Sequence, residues 1–240
     1  VKTTALPTIT VVGTNTTTTC STTVTTTVST PTSTWDGVSA WTPVDPDASR
    51  IVVFDGSLGS GNFSSTTDIS ACSVSVINGA TVLFNSYDNL VVQNAVTVTS
   101  GTLTFDDRAS LLQTNNVTNA LGVYSGGNSG NIIYRRNTMP VYQVDYTYWS
   151  MPVYPQTVNG FSPTSALAYT YNSSLATPAW QGTTFSTSLI PGKGYIVRAP
   201  SSQPFGPLDG PPSTVLTTFS AVPNNGNISV PIYGTTSQMN

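Results

Sequence analysis

All the acidity of this chain comes from ten Asp residues, with no Glu and no His. Only Asp106 and Asp107 are adjacent, and Arg108 follows them. Clustered carboxylates, or an Arg or Lys acting as base, are what polysaccharide lyases and hydrolases use in a cleft. The position of this trio directly after Leu103 and Phe105 reads instead as a turn between coils, with Arg108 a solvated neighbour. Without His or Glu, and with no paired Ser or Cys nucleophile, triads and the usual zinc sites are excluded. The chain reads as non-catalytic, with no catalytic, cofactor-binding or metal residue assigned.

A second acidic group is the loop Pro43-Val44-Asp45-Pro46-Asp47, with Asp36 nearby. Calcium is the cation such donors would take, but it needs about six to eight oxygens and Pro46 restricts the geometry. Asp residues shaping turns is the favoured reading, and no cofactor is expected. Tyr146, Tyr148 and Trp149 form an aromatic stripe; period two places both tyrosines on one strand face and Trp149 on the other. Core or inter-domain packing is the favoured account, and a sugar-stacking platform is the alternative. Arg135 and Arg136 point to opposite faces, and one is expected to pair with Asp145 as a structural ion pair. Cys20 and Cys72 lie in strand-like contexts, and a bridge and a pair of thiols both stay open. Five Asn-x-Ser/Thr triplets begin at Asn15, Asn62, Asn116, Asn172 and Asn227, a number that chance supplies in a chain this rich in these residues.

The elements that must position these groups are strands. Thr and Val favour strands, whereas Gly, Asn and Asp favour the turns between them. Residues 1–34 are Thr-rich, with period-two alternation at Thr22, Val24, Thr26 and Val28; they read as a linker, or as strands serving a neighbouring domain. Residues 35–130 carry a longer period. Val74, Val76, Gly79, Val82, Phe84 and Leu90 recur as Val96, Val98, Gly101, Leu103, Phe105 and Leu111, an offset of about 22 residues that slips by one near the glycine. This predicts a short parallel β-helix in which equivalent apolar residues stack from coil to coil. After the glycine-rich stretch 124–130, residues 131–240 predict an antiparallel β-sandwich. Its strands are expected at 131–136, 144–149, 168–171, 194–198, 215–220 and 228–233.

Charge narrows the partners. Only 7% of residues are charged, against roughly 25% in ordinary domains. Seven Lys and Arg make no basic stripe for nucleic acid. No apolar run approaches the roughly 20 residues of a membrane span. The ends show no signal peptide and no anchor, so the chain reads as a piece of a longer protein.

Three blocks carry a resemblance. They are Gly130-Asn131-Ile132-Ile133-Tyr134-Arg135-Arg136-Asn137, Asp145-Tyr146-Thr147-Tyr148-Trp149-Ser150-Met151-Pro152-Val153, and Pro191-Gly192-Lys193-Gly194-Tyr195-Ile196-Val197-Arg198-Ala199-Pro200. Ser70-Ala71-Cys72-Ser73-Val74, Phe161-Ser162-Pro163 and Tyr169-Thr170-Tyr171-Asn172 extend it over roughly residues 35–235. Together they resemble a recurring region of large Bacteroidota (Flavobacterium-type) cell-surface proteins exported by the type IX secretion system. The resemblance implies an extracellular location, an adhesive, gliding-type or scaffolding role, and delivery by the type IX machinery. Expected partners are other surface proteins, copies of the chain joined by strand addition into filaments, and extracellular glycans.

Overall fold

The computed structural model describes residues 8–14, 21–27, 30–116, 124–201, 210–231 and 233. The Thr/Val alternation near the start becomes β1 (Thr8–Thr14) and β2 (Ser21–Thr27), an antiparallel pair. The chain then winds as a solenoid. Its strands are β3 (Thr32–Trp35), β4 (Trp41–Thr42), β5 (Ile51–Asp55), β6 (Asn62–Ser64), β7 (Ile69–Ala71), β8 (Ser73–Ile77), β9 (Ala80–Phe84), β10 (Asn89–Val92), β11 (Val96–Val98), β12 (Gly101–Phe105) and β13 (Ser110–Gln113). Beyond it come β14 (Ile132–Asn137), β15 (Tyr146–Trp149), β16 (Val153–Tyr154), α1 (Val158–Phe161), β17 (Ala168–Asn172), β18 (Ala179–Gly182), β19 (Tyr195–Arg198) and β20 (Leu216–Pro223).

The fold is all-β: a short parallel β-helix of about four turns followed by antiparallel sheets, as the periodicity predicts. Each full coil contributes one strand to each of three faces. β3, β5, β8 and β11 stack on the first face, β6, β9, β12 and β14 on the second, and β7, β10 and β13 on the third. The slip of register is real. Val74 lies beside Val96, 22 residues on, whereas Val82 lies beside Leu103, 21 residues on. The residue is lost at the corner. Asn78 and Gly79 both have positive φ, as a tight two-residue turn demands, and Gly101 then pairs with Ala80 rather than with Gly79.

These glycines yield a prediction. A Cβ at Gly101 would stand 2.2 Å from the Ala80 carbonyl oxygen, at φ +112°, whereas at Gly79 it would meet nothing within 4 Å. Gly101→Ala should therefore cost about 2–3 kcal/mol. Gly79→Ala should cost only the left-handed penalty of about 1 kcal/mol. Urea unfolding of the two variants checks the order; equal costs would mean that Gly101 is not held by the coil below.

Inside the coils, Phe63, Phe84, Phe105 and Tyr134 stack in a column, with centroids 5.9, 5.3 and 5.0 Å apart. Trp35 and Trp41 close its first end by lying edge-on against Phe63 and Phe54. Polar ladders run along the corners. Asn115 donates to the Asn94 side chain at 2.9 Å, and Asn94 donates to the Cys72 carbonyl at 3.0 Å. Cys72 is a half-buried free thiol, and Cys20 lies outside the described residues.

β14 is the joint between the two halves. It pairs in parallel with β12 and antiparallel with β20, so the solenoid's second face runs directly into an antiparallel sheet, β14-β20-β16. Buried Asn128, in the glycine-rich loop before it, exchanges amide hydrogen bonds with Gln113 at 2.8 and 2.9 Å. It also accepts from the Val96 amide and donates to the Pro223 carbonyl. Opposite β20 lies the sheet β15-β19-β17-β18, with Trp149 and Phe161 packed on Phe219 between the layers. The strand expected at 228–233 is not formed among the described residues. Pro231 removes a ladder donor there.

Candidate functional site

The aromatic stripe divides between the two faces of the sheet β15-β19-β17-β18. In an antiparallel ladder, directly opposed residues share a face. Tyr148 opposes Ile196, which opposes Tyr169; Tyr146 opposes Arg198, and Tyr171 opposes Trp180. The alternate residues Trp149, Tyr195, Val197 and Ala168 point inward, where all but half-buried Trp149 are fully buried. The expectation of core packing thus holds for Trp149 and fails for the tyrosines. Tyr148 is 73% exposed, Tyr171 49%, Trp180 47% and Tyr146 37%. The reason is topological: the inner face is covered by α1 and β20, whereas the outer one is bordered only near Tyr171, where Ser229, Val230, Pro231 and Tyr233 share a pocket with that ring.

The rings on this outer face are held by one another. Trp180 sits edge-on to Tyr171 at 5.4 Å and tilted to Tyr148 at 6.5 Å, and Tyr146 is tilted to Tyr169 at 6.1 Å. Gly182 opposes Tyr169, and a side chain there would meet only open space. The result is a shallow aromatic floor with raised rings. Arg198 is the one charged side chain in these registers, and its Nε donates to the Gln143 carbonyl at 3.2 Å. Trp180 and β18 were not anticipated from the sequence. The signal present was Ala179-Trp180-Gln181-Gly182, an exposed segment whose alternation is too short to recognise.

The acidic candidates serve structure. Asp106 and Asp107 lie in the turn after β12, as expected. Asp107 accepts from the Asn137 amide at 2.9 Å and pairs with Arg108, while Asp106 lies 3.9 Å from Arg135. Asp106 therefore takes the place expected of Asp145, because β14 runs beside β12 whereas Asp145 caps a turn in the other sheet through the Tyr142 amide. Arg136 lies over the Tyr134 ring and donates to the carbonyls of Asp106 and Ala109. One Asp36 oxygen accepts from the amides of Val38, Ser39 and Ala40, which hold its carboxyl below the usual range. Asp47 is lowered by the Ser49 hydroxyl and amide, with Arg50 beside it. Asp36, Asp45 and Asp47 do not converge; among the described residues no group of three His, Cys, Asp or Glu is placed to hold a metal.

Among the described residues Tyr134 is the one strongly perturbed group. Its ring is buried at the end of the aromatic column and its oxygen accepts from the Leu111 amide at 2.8 Å. Burial pushes its phenol up to about 12, against the Leu111 bond and the Arg136 charge, which pull it down. A raised folded value means that this stability is complete below the unfolded value near 10 and is lost as pH rises through about 12. Wild type should lose about 2–3 kcal/mol between those limits. Tyr134→Phe starts lower, since it orphans the Leu111 amide, but should lack that alkaline step. Urea midpoints at pH 9 and 11.5 test it; parallel losses in both proteins would remove Tyr134 as the cause.

Fold and surface together define the class, a capped β-solenoid joined to antiparallel sheets that present an exposed aromatic face. The chain belongs to the family described as Domain of unknown function (DUF8693), whose model matches residues 26–240. No curated protein and no solved structure matches it. Among the described residues, no helix is long and apolar enough to cross a membrane.

Proposed function

We propose that this chain is a non-catalytic scaffold and adhesive module of a larger extracellular surface protein, and that the outer face of β15-β19-β17-β18 is its contact surface for glycans. The observation that supports this most is the set of four exposed rings, Tyr146, Tyr148, Tyr171 and Trp180, on one face of the sheet. Rings of this kind offer large contact area with little conformational freedom to lose, and their faces suit the C–H face of a sugar. Among the described residues the face carries Arg198, with Lys193 beside Tyr171, and no acid; its rings rather than these two charges favour a neutral polysaccharide. The stacked coils behind it supply a stiff mount at low sequence cost. The sequence blocks that resemble type IX-exported surface proteins support delivery to the cell exterior and an adhesive or gliding-type role.

The test is retention of the purified chain on insoluble neutral polysaccharides and on a glycan array. Retention that persists in high salt supports the reading, because stacking on rings is little screened. Absence of binding to every neutral glycan would sink it. β18 ends its sheet with all four residues exposed, so a strand of a second copy could add there. Electron microscopy of the same preparation would show that alternative as regular filaments.

A further inference from the structure

At the first end of the solenoid, a cavity of about 520 Å³ opens between the loop after β3 and the corner joining β6 to β7. One wall is the indole pair Trp35 and Trp41, whose rings meet edge-on at 5.3 Å. Trp35 is pinned by donating to the Asn62 carbonyl at 2.8 Å, whereas the Trp41 indole N–H meets no acceptor among the described residues. The lining also includes Asp45, Asp68, Thr66 and Thr67. The Asp68 carboxylate is fixed by the Asn89 amide and side chain at 2.8 and 3.1 Å. The Asp45 carboxylate accepts no hydrogen bond among the described residues, and neither threonine hydroxyl makes one. Among the described residues no Lys or Arg lines the cavity.

We infer that this cavity binds one hexose residue, a second glycan-contacting site separate from the sheet face. Its volume lies within the range of roughly 300–1,000 Å³ typical of small-molecule sites. The rim is rich in acceptors, so it selects a ligand rich in donors, and the ring hydroxyls of a sugar are such donors. Two carboxylates without a base repel phosphates, sulfates and carboxylates. The indole wall offers an apolar face of the size of a pyranose ring, and Trp41 keeps a free donor for a ring or hydroxyl oxygen. A small angled pair of indoles with polar groups on one rim fits a single residue or chain end, whereas the outer sheet face fits a longer segment.

The full chain should be titrated with D-glucose, D-galactose, D-mannose and N-acetyl-D-glucosamine, with tetramethylammonium chloride as the probe for a cation site. Tryptophan fluorescence and calorimetry are the readouts. At least one hexose is expected to bind saturably and change the tryptophan emission. Asp45→Asn, at an exposed position that leaves the fold intact, should weaken that hexose about tenfold. Trp41→Phe should weaken it while keeping the cap filled, and Tyr148→Ala combined with Trp180→Ala should leave it unchanged. Binding of no hexose would overturn the inference, as would binding of tetramethylammonium alone. Hexose binding that survives Asp45→Asn and Trp41→Phe but is lost in the sheet-face double variant would move the sugar to the sheet and overturn it too.

Discussion

Phe105→Ala is expected to lower the unfolding free energy by about 3–5 kcal/mol, among the largest stability losses of any single truncation in the solenoid. Phe105 is fully buried, and its ring is stacked on Phe84 at 5.3 Å and Tyr134 at 5.0 Å. Removing it opens a cavity that the backbone cannot close, because β12 is hydrogen-bonded on one side to β9 and on the other to β14. In a stacked architecture each coil is stabilised mainly by its neighbours, so one void weakens two interfaces at once. The effect should reach the second half as well, since β14 also carries β20. Leu112→Ala, at a residue 55% exposed in the same coil, should change stability by no more than about 0.5 kcal/mol. Equilibrium urea unfolding decides it: a loss below about 1 kcal/mol for Phe105→Ala would mean that the column is not the core.

That column also shows how far sequence could be read. Val74 and Val96, or Phe84 and Phe105, announce a solenoid because parallel stacking places like on like, and the spacing survives in the chain. Phe63 and Tyr134 belong to the same column; Phe63 keeps the 21-residue spacing of Phe84 and Phe105, whereas Tyr134 does not. Phe63 lies 21 residues before Phe84, but the shorter strand β6 pairs with β9 in another register, with Phe63 opposite Val82. Between Phe105 and Tyr134 a longer connection interrupts the period. Tyr134 therefore read as the start of an antiparallel half, whereas its strand serves both halves. The sheet face was half legible for a different reason. Alternation assigns Tyr146 and Tyr148 to one face and Trp149 to the other, but it cannot say which face is covered. Phe161 and Phe219 decide that, arriving 12 and 70 residues after Trp149. Asp106 likewise meets Arg135 only because β12 and β14 become neighbours across the long connection.

The combined variant Tyr148→Ala, Trp180→Ala should lose polysaccharide retention by about a hundredfold or more while keeping the wild-type fold. Stacked aromatic anchors at interfaces commonly contribute about 2 kcal/mol or more each, and a loss of 1.4 kcal/mol is about tenfold. These two rings lie next to each other across the outer face at 6.5 Å, so a single sugar chain would cross both, and the losses should compound. Stability should hardly change, because both residues are largely exposed and the inner face keeps Trp149, Tyr195 and Val197 in place. Trp180→Phe should retain part of the binding, because a smaller ring still offers a face, whereas Trp180→Leu of similar hydrophobicity should not. That contrast separates stacking from general stickiness, which both replacements would preserve. Thermal unfolding and circular dichroism establish that each variant is folded, and depletion onto insoluble glycan measures the binding. Full retention by a folded double variant would remove this face as the adhesive surface. Loss in the double variant together with equal retention by the Phe and Leu replacements would make the contact a nonspecific apolar one, and the glycan reading would fall with it.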